Sequence, residues 1–250
     1  MLEKKLRSLL LKSLGIRSYL SLVSSAYIRL IRAGFLKNKY PELFYLSSII
    51  KPGFVCIDIG ANVGYYSVFL SKYAGNQGHV YAVEPVPLFA QIFLKNSKKF
   101  ASNNITLYQC ALGAEVKEVI LGTPLLDGVF RHGLTKILDQ AETKNAQTYK
   151  AVMQIPDVLF NPLPKIDFIK CDVEGYEVHL FPHMLNTLKR CLPLIQIEIS
   201  SEINRRAIID LLKPLGYQAY SLANHKLELL KDETALYYEQ GDFYFMAGSN

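Results

Sequence analysis

Along most of the chain, apolar positions fall into short, mostly apolar runs that alternate with segments of helical spacing. The runs are Val55–Ile59, Val80–Glu84, Asn104–Gln109, Ile166–Cys171 and Leu194–Ile199. Short, mostly apolar runs rich in β-branched residues read as strands buried on both faces. Between them, Tyr65–Tyr73 and the segments opened by Pro87, Gly175 and Ser200 or Ser201 read as helices. Leu88, Ile92 and Phe93 are expected to face inward in the second of these helices. Pro182 interrupts the third. In the fourth, a serine caps the start, Ile203, Ile208, Leu211 and Leu212 form the buried side, and Gly216 ends it. Such alternation predicts a parallel sheet covered by helices. Tyr217–Leu222 and Asp242–Ala247 are expected to complete it as antiparallel edge strands.

Two segments depart from this rhythm. Residues 1–50 are helical in character, with Gly15 and Gly34 as stops and Pro41 limiting the end. Leu2, Leu6, Leu9, Leu10 and Leu14 recur at helical spacing among Lys4, Lys5, Arg7 and Lys12. The pattern suits a surface helix packed on the domain. It also suits a basic amphipathic helix resting on an anionic membrane; Tyr19, Tyr27 and Tyr40 give weaker support for a nucleic-acid arm. The second departure, residues 113–165, is longer than a simple crossover needs. Its strand-like pieces Val116–Leu121, Val129–Leu134 and Thr148–Ile155 predict an inserted β flap over the sheet, where recognition loops tend to sit. The division is thus an extension over 1–50 and a domain over 51–250. Arg131 and His132 are the flap's prominent polar pair. A lone histidine is more often structural than catalytic, and His132 is assigned no role.

Charge sharpens the first departure. Residues 1–50 carry nine Lys/Arg against Glu3 and Glu42, whereas the rest of the chain carries nineteen against twenty acids. A domain body so near neutral argues against an evenly basic nucleic-acid surface. The charge-free stretch Ser18–Ile28 is too short to span a bilayer, and Lys12 interrupts the apolar residues a signal peptide would need. Cys56, Cys110, Cys171 and Cys191 form no C-x-x-C pair, so neither zinc nor a disulfide framework is expected. Free thiols in a core fit a reducing compartment, and a cytoplasmic location is the expectation.

The candidate chemistry lies after the first strand. Gly60 and Gly64 bracket a turn between a strand and a helix, where free N–H groups face a ligand. Glu84 ends the second strand, ~20 residues on, the place from which an acid holds ribose hydroxyls in dinucleotide folds. The loop is not the G-x-G-x-x-G of a dehydrogenase, because Asn62 stands where the middle glycine would be. Asp58, a carboxylate inside the strand, suits a cationic ligand better than a pyrophosphate. S-adenosylmethionine has a sulfonium, an ammonium and a ribose, and no phosphate.

Asp58-Ile59-Gly60-Ala61-Asn62-Val63-Gly64-Tyr65-Tyr66-Ser67, then Glu84-Pro85, then Asp167-Phe168-Ile169-Lys170-Cys171-Asp172-Val173-Glu174-Gly175-Tyr176-Glu177 resemble the FkbM family of S-adenosylmethionine-dependent methyltransferases. The resemblance covers about Pro52 to Ile199. It implies a Rossmann-like class I methyltransferase fold and methylation of a hydroxyl, often on a sugar or polyketide. Under it, Gly60, Ala61, Asn62 and Gly64 take the methionine part. Asp58 supports the loop or the cationic end, Glu84 takes the ribose, and Pro85 and Ala111 flank the adenine. Asp172 and Glu174, after the fourth strand, are the candidate catalytic residues, one of them a base for the acceptor hydroxyl. Asp172, Glu174 and Glu198 have no diagnostic metal spacing, and no metal is expected. Base methylation of nucleic acid is disfavoured, because Asn161-Pro162-Leu163-Pro164 departs from the Asn/Asp-Pro-Pro-aromatic tetrad and precedes its strand. The alternatives are a polyketide or lipid hydroxyl as acceptor, and a catalytically silent protein that binds the cofactor or docks at a membrane.

Overall fold

The computed structural model describes residues 2–126, 129–138 and 146–248. The chain runs α1 (Leu2–Arg32), α2 (Pro41–Ile49), β1 (Val55–Ile59), α3 (Tyr65–Ala74), β2 (His79–Val83), α4 (Pro87–Phe100) and β3 (Ile105–Tyr108). A second group of strands follows: β4 (Ala111–Leu112), β5 (Lys117–Leu126), β6 (Val129–Phe130), β7 (Lys136–Ile137) and β8 (Ala146–Gln154). The chain returns through α5 (Pro156–Phe160) to β9 (Phe168–Cys171), α6 (Glu177–Leu180), α7 (Leu185–Cys191), β10 (Leu194–Ile197) and α8 (Glu202–Leu212). It closes with β11 (Tyr217–Ala223), β12 (Lys226–Leu229), α9 (Asp232–Ala235) and β13 (Phe243–Ala247).

The main sheet has the order β12-β11-β13-β10-β9-β1-β2-β3. β3, β2, β1, β9 and β10 are parallel, and β13 enters antiparallel between β10 and β11. Strand order reverses between β1 and β9, so a crevice opens beyond their carboxyl ends. This is the Rossmann-like α/β architecture of the class I methyltransferases. One difference from expectation is at the edge. β11 and β13 are interior strands, and β12 forms the rim. The hairpin into β12 turns on Asn224 and His225, both at positive φ. Such a two-residue turn is usually announced by Asn-Gly, a signal absent here.

Burial on both faces explains the mostly apolar runs. Ile57, Ile59, Ile169, Cys171, Ile195 and Ile197 pack with Leu180, Phe181, Leu188, Ile208 and Leu212 on one face. Cys56, Val80 and Phe168 pack with Leu43, Leu46, Phe69 and Leu70 of α2 and α3 on the other. This second face also carries a row of polar neighbours across the strands: Asp58 beside Lys170, Lys170 beside Gln196, Gln196 beside Tyr244. In α8 the buried side is Arg205, Ile208 and Leu212, while Ile203 is 81% exposed. Residues at positions 205, 208 and 212 share one helix face, and position 203 falls off it. The Ser201 hydroxyl caps this helix, accepting from the Asn204 N–H at 3.2 Å.

The flap is a second sheet of order β4-β8-β5-β6, with β7 on β5. Its base is parallel pairing of Ala111 and Leu112 with Met153 and Gln154, so the expected adenine-flanking segment belongs to the flap's own sheet. The expected strand Val129–Leu134 stops at Phe130, and His132–Leu134 is a single 3-10 turn. Residues 127–128 and 139–145 of the flap lie outside the described residues.

Gly15, at φ +69°, breaks α1. Beyond the break, Leu20, Ser24, Ile28 and Ile31 are buried and α1 packs along α4. Asn96 of α4 links this helix to the glycine loop: its Nδ2 donates to Ser24 Oγ at 2.9 Å and to the Val63 carbonyl at 2.8 Å. The side chains of the Leu2–Leu10 stripe lie outside the described residues. Among the described residues, no helix is long and apolar enough to cross a membrane.

Candidate active site

The N–H groups of the β1–α3 loop, expected to be free for a ligand, are spent within the chain: Asn62 on Glu84, Val63 on the Asn62 Oδ1 and Gly64 on the Ala61 carbonyl. Gly60 and Ala61 both donate N–H to the Val83 carbonyl at 3.0 Å, tying the loop to the end of β2. Gly60 has φ +80°, and a Cβ there would lie 1.8 Å from the Asp172 carbonyl oxygen. The close approach that requires glycine is thus made by the chain itself, where β1 and β9 end side by side. Asn62 takes the left-handed conformation at φ +50°, which asparagine tolerates better than most residues. Asp58, almost fully buried, accepts from the Ser67 hydroxyl at 2.5 Å and so braces α3 against β1. Burial pushes its pKa up to about 6, against the pull of Ser67 and Lys170.

The loop encloses one side of a cavity at the strand-order reversal. Gly60, Asn62, Glu84, Pro85, Ala111, Asp172 and Glu174, seven of the ten residues singled out in the sequence, line it. Asp58, Ala61 and Gly64 stand behind its wall and shape the loop. Glu84 is fixed by two backbone donors: Asn62 N–H to Oε2 at 2.8 Å and Val86 N–H to Oε1 at 2.7 Å. Burial raises its pKa to about 7 despite these donors. Val86, Phe89, Leu112, Leu121 and Ile137 supply an apolar wall.

Carboxylates crowd the other end. Burial raises Asp172 above the usual carboxylate range, while the Lys170 ammonium pulls it back. Glu174 is pushed up to about 8, first by burial and then by Asp172, Glu198 and Glu177. It also sits at φ +55°, a strained position for a residue with a side chain and one that recurs at functional sites. Tying the loop is the work of Glu177, whose Oε1 accepts from the Val173 and Gly175 N–H groups at 3.1 and 3.2 Å. Gly175, at φ +95°, has no atom nearer than 4.0 Å to a Cβ position, so its conformation requires glycine and close packing does not. Lys170 points to the opposite face, 3.3 Å from Asp242 and over the Tyr66 ring. Among the described residues, no group of three or more His, Cys, Asp or Glu is placed to hold a metal ion.

His132 is the residue sequence reasoning passed over. It lines the cavity from the flap and clasps the loop twice. Asn62 Nδ2 donates to the His132 carbonyl at 3.1 Å, and His132 Nδ1 lies 3.0 Å from Asn62 Oδ1. That oxygen already accepts from the Val63 N–H at 2.9 Å, which fixes the amide's orientation and places the imidazole proton on Nδ1. Burial lowers the His132 pKa to about 4, leaving the ring neutral with Nε2 an acceptor. No signal in the sequence could have paired positions 62 and 132, because the clasp depends on how the flap folds back.

The donor set fits S-adenosylmethionine. An apolar slot suits a purine, and the Glu84 carboxylate suits ribose hydroxyls. Glu84→Gln, which keeps one of the two acceptors for the loop amides, is expected to weaken S-adenosylhomocysteine binding by about 1.5–3 kcal/mol, the scale of hydrogen bonds to a charged group. Calorimetry reads this directly, and unchanged affinity would remove Glu84 from the ribose site.

Three solved structures to which the chain is similar are a methyltransferase from Aquifex aeolicus, a precorrin-6y C5,15-methyltransferase from Geobacter metallireducens and fibrillarin from Aeropyrum pernix with natively bound S-adenosylmethionine. The first is 15% identical with a TM-score of 0.46, over 90% of this chain and 98% of that one. The second is 15% identical with a TM-score of 0.44, over 81% and 83%. The third is 14% identical with a TM-score of 0.43, over 80% and 68%. No curated protein matches the chain. The profile of the methyltransferase FkbM domain matches residues 58–219, from the buried aspartate of β1 through β9 and β10 into β11. The chain therefore belongs to the FkbM methyltransferase family and is an S-adenosylmethionine-dependent methyltransferase.

Proposed function

We propose that the methyl group goes to a hydroxyl, that of a sugar unit in a glycan, with Asp172 and Glu174 on the acceptor side. The observation that carries this reading is a second cavity, of about 430 Å³, beside the carboxylate cluster. Glu198, Ser200, Arg205, Glu239 and Asp242 line it. The buried Arg205 is held there by the Leu236 carbonyl at 2.7 Å and Glu239 at 3.3 Å. Walls so rich in charged and hydrogen-bonding groups suit a polyol better than an apolar polyketide.

Bound S-adenosylmethionine supplies an electrophilic methyl carbon on its sulfonium. The protein must hold the acceptor oxygen ~3–3.5 Å from that carbon, in line with the breaking bond. A sugar hydroxyl is a weak nucleophile, so a base assists. The two carboxyls differ in charge environment in the way that separates acid from base. Asp172 has Lys170 as its strongest charged neighbour, which favours its ionised form. Glu174 has three carboxylates around it and stays protonated to about pH 8. In this reading Asp172 takes the hydroxyl proton, and protonated Glu174 donates a hydrogen bond that orients the acceptor. Glu84, Asn62 and Pro85 hold the cofactor, with Asp58, Ala61 and Gly64 shaping the loop and Ala111 at the adenine end.

The extension over 1–50 and the domain over 51–250 are proposed to act together in the cytoplasm, with the extension in peripheral contact with a membrane. The direct test is mass spectrometry of glycans from cells with and without the gene, joined to label transfer in vitro from S-adenosylmethionine. A methyl ether lost with the gene supports the reading. Label that goes only to apolar extracts would move the acceptor to a lipid or polyketide hydroxyl.

A further inference from the structure

Beyond Gly15, α1 has two faces of different character. One packs on the domain through Leu20, Ser24, Ile28 and Ile31. The other presents Leu22, Ala26 and Leu30 at helical spacing, and Leu22 and Leu30 are 53% and 43% exposed. Phe35, just past the helix, is 61% exposed. α4 runs alongside and adds its own outer face, with Leu94 55% exposed among Gln91, Lys95 and Lys98.

The two helices meet at Phe100. Arg29 and Arg32 of α1 and Lys99 of α4 lie 6.0, 5.9 and 5.3 Å from its ring centroid. Three cations around one ring repel one another, and the ring's quadrupole offsets little of that at an exposed site. No carboxylate answers them: the sequence has no acid between Glu3 and Glu42 or between Glu84 and Glu115. Among the described residues, none of Arg29, Arg32, Lys95, Lys98 and Lys99 is in an ion pair. Arg32 Nη1 donates to the Phe100 carbonyl at 3.4 Å, and the surface offers large apolar side chains interleaved with positive charge that no carboxylate pairs.

We propose that the joined outer faces of α1 and α4 dock on an anionic lipid bilayer, with Leu22, Leu30, Phe35 and Leu94 entering the headgroup region and the cations meeting lipid phosphates. Charge complementarity selects an anionic partner. The interleaved leucines and phenylalanine select a bilayer over a nucleic acid, whose backbone offers leucine nothing to bury against. The inference deepens the peripheral contact proposed for residues 1–50 by giving it a face and a second helix. It does not depend on the acceptor, because docking is read without turnover.

The test is co-sedimentation of the full chain with phosphatidylcholine vesicles, with and without phosphatidylglycerol. Binding is expected to need the anionic lipid and to fall as salt shrinks the screening length from about 10 to about 3 Å. Each cation near such a surface is worth roughly fivefold in affinity, so Arg29→Ala/Arg32→Ala is expected to lose about 25-fold. Leu22→Ser/Leu30→Ser is expected to lose several-fold with its salt dependence retained. S-adenosylhomocysteine affinity should stay normal in both variants, which shows that the domain is intact. Equal binding to neutral vesicles, or arginine variants that bind as the parent does, would overturn the proposal. So would retention on duplex DNA that the leucine variant leaves untouched, which points to nucleic acid. A dimer lost in the leucine variant, without vesicle binding, points instead to a second copy of the chain.

Discussion

Replacing Asp172 with Asn is expected to lower turnover by roughly 10²–10⁴-fold, the range for removing a general base. The change keeps shape and hydrogen-bonding capacity and removes basicity, so S-adenosylhomocysteine affinity should move little. The pH profile carries more information than the rate. Asp172 sits above the usual carboxylate range, and its base form is gained as pH rises through that pKa. Turnover should therefore climb on the acid side. Glu174, protonated up to about 8, should lose its donor role above that pH, and turnover should fall again. The result is a bell whose acid limb disappears in Asp172→Asn and whose alkaline limb disappears in Glu174→Gln. Normal turnover in Asp172→Asn, on the glycan fraction that accepts label, would transfer the base role to Glu174.

Gly60→Ala is expected to be the most disruptive single methyl group in the domain. Its Cβ would lie 1.8 Å from the Asp172 carbonyl oxygen, so one of the two strand ends must move. The left-handed backbone at φ +80° adds roughly 1–2 kcal/mol for any residue with a side chain. Movement there strains the Asp172 N–H bond to the Ile59 carbonyl, 3.0 Å long, and shifts Asp172 and Asn62 together. S-adenosylhomocysteine affinity should drop at least about tenfold, and melting should fall by several degrees at ~2–4 °C per kcal/mol for a domain of this size. Gly175→Ala is the control. It meets only the backbone cost, because the space around that position is open. If Gly60→Ala melts and binds like the parent, the close approach of β1 and β9 does not exist in solution.

What the sequence could convey divides along a physical line. Val55–Ile59, Ile166–Cys171 and their neighbours were legible because burial on both faces forces runs of apolar residues, and those runs fix where the strands end. Strand ends in turn placed Gly60, Glu84 and Asp172 at one crevice, and the structure brings them to one cavity. Ile203 was misread because a helical stripe can be drawn through several registers, and only packing chooses among them. β12 was missed because a turn of Asn224 and His225 lacks glycine. His132 was invisible for a deeper reason. Its partner Asn62 is seventy residues away, and the contact is made between a loop and a flap whose docking no local pattern encodes.

Lys170 gives the polar row across the sheet a lineage of its own. Burial works against the ammonium's charge, yet Asp242, Asp172 and Glu198 together hold its pKa above the usual range. Asp242 also accepts from Gln196 Nε2 at 2.7 Å, and Gln196 donates to the Tyr66 hydroxyl at 3.1 Å. Loss of Asp242 alone would leave the buried Lys170 without its nearest carboxylate, which is costlier than never having had the pair. Positions 170 and 242, neighbours in space, are thus expected to be coupled in descent as well. Among relatives, a neutral residue at one should travel with a neutral residue at the other. A set of relatives in which the two vary independently would show that the ion pair is dispensable to the sheet.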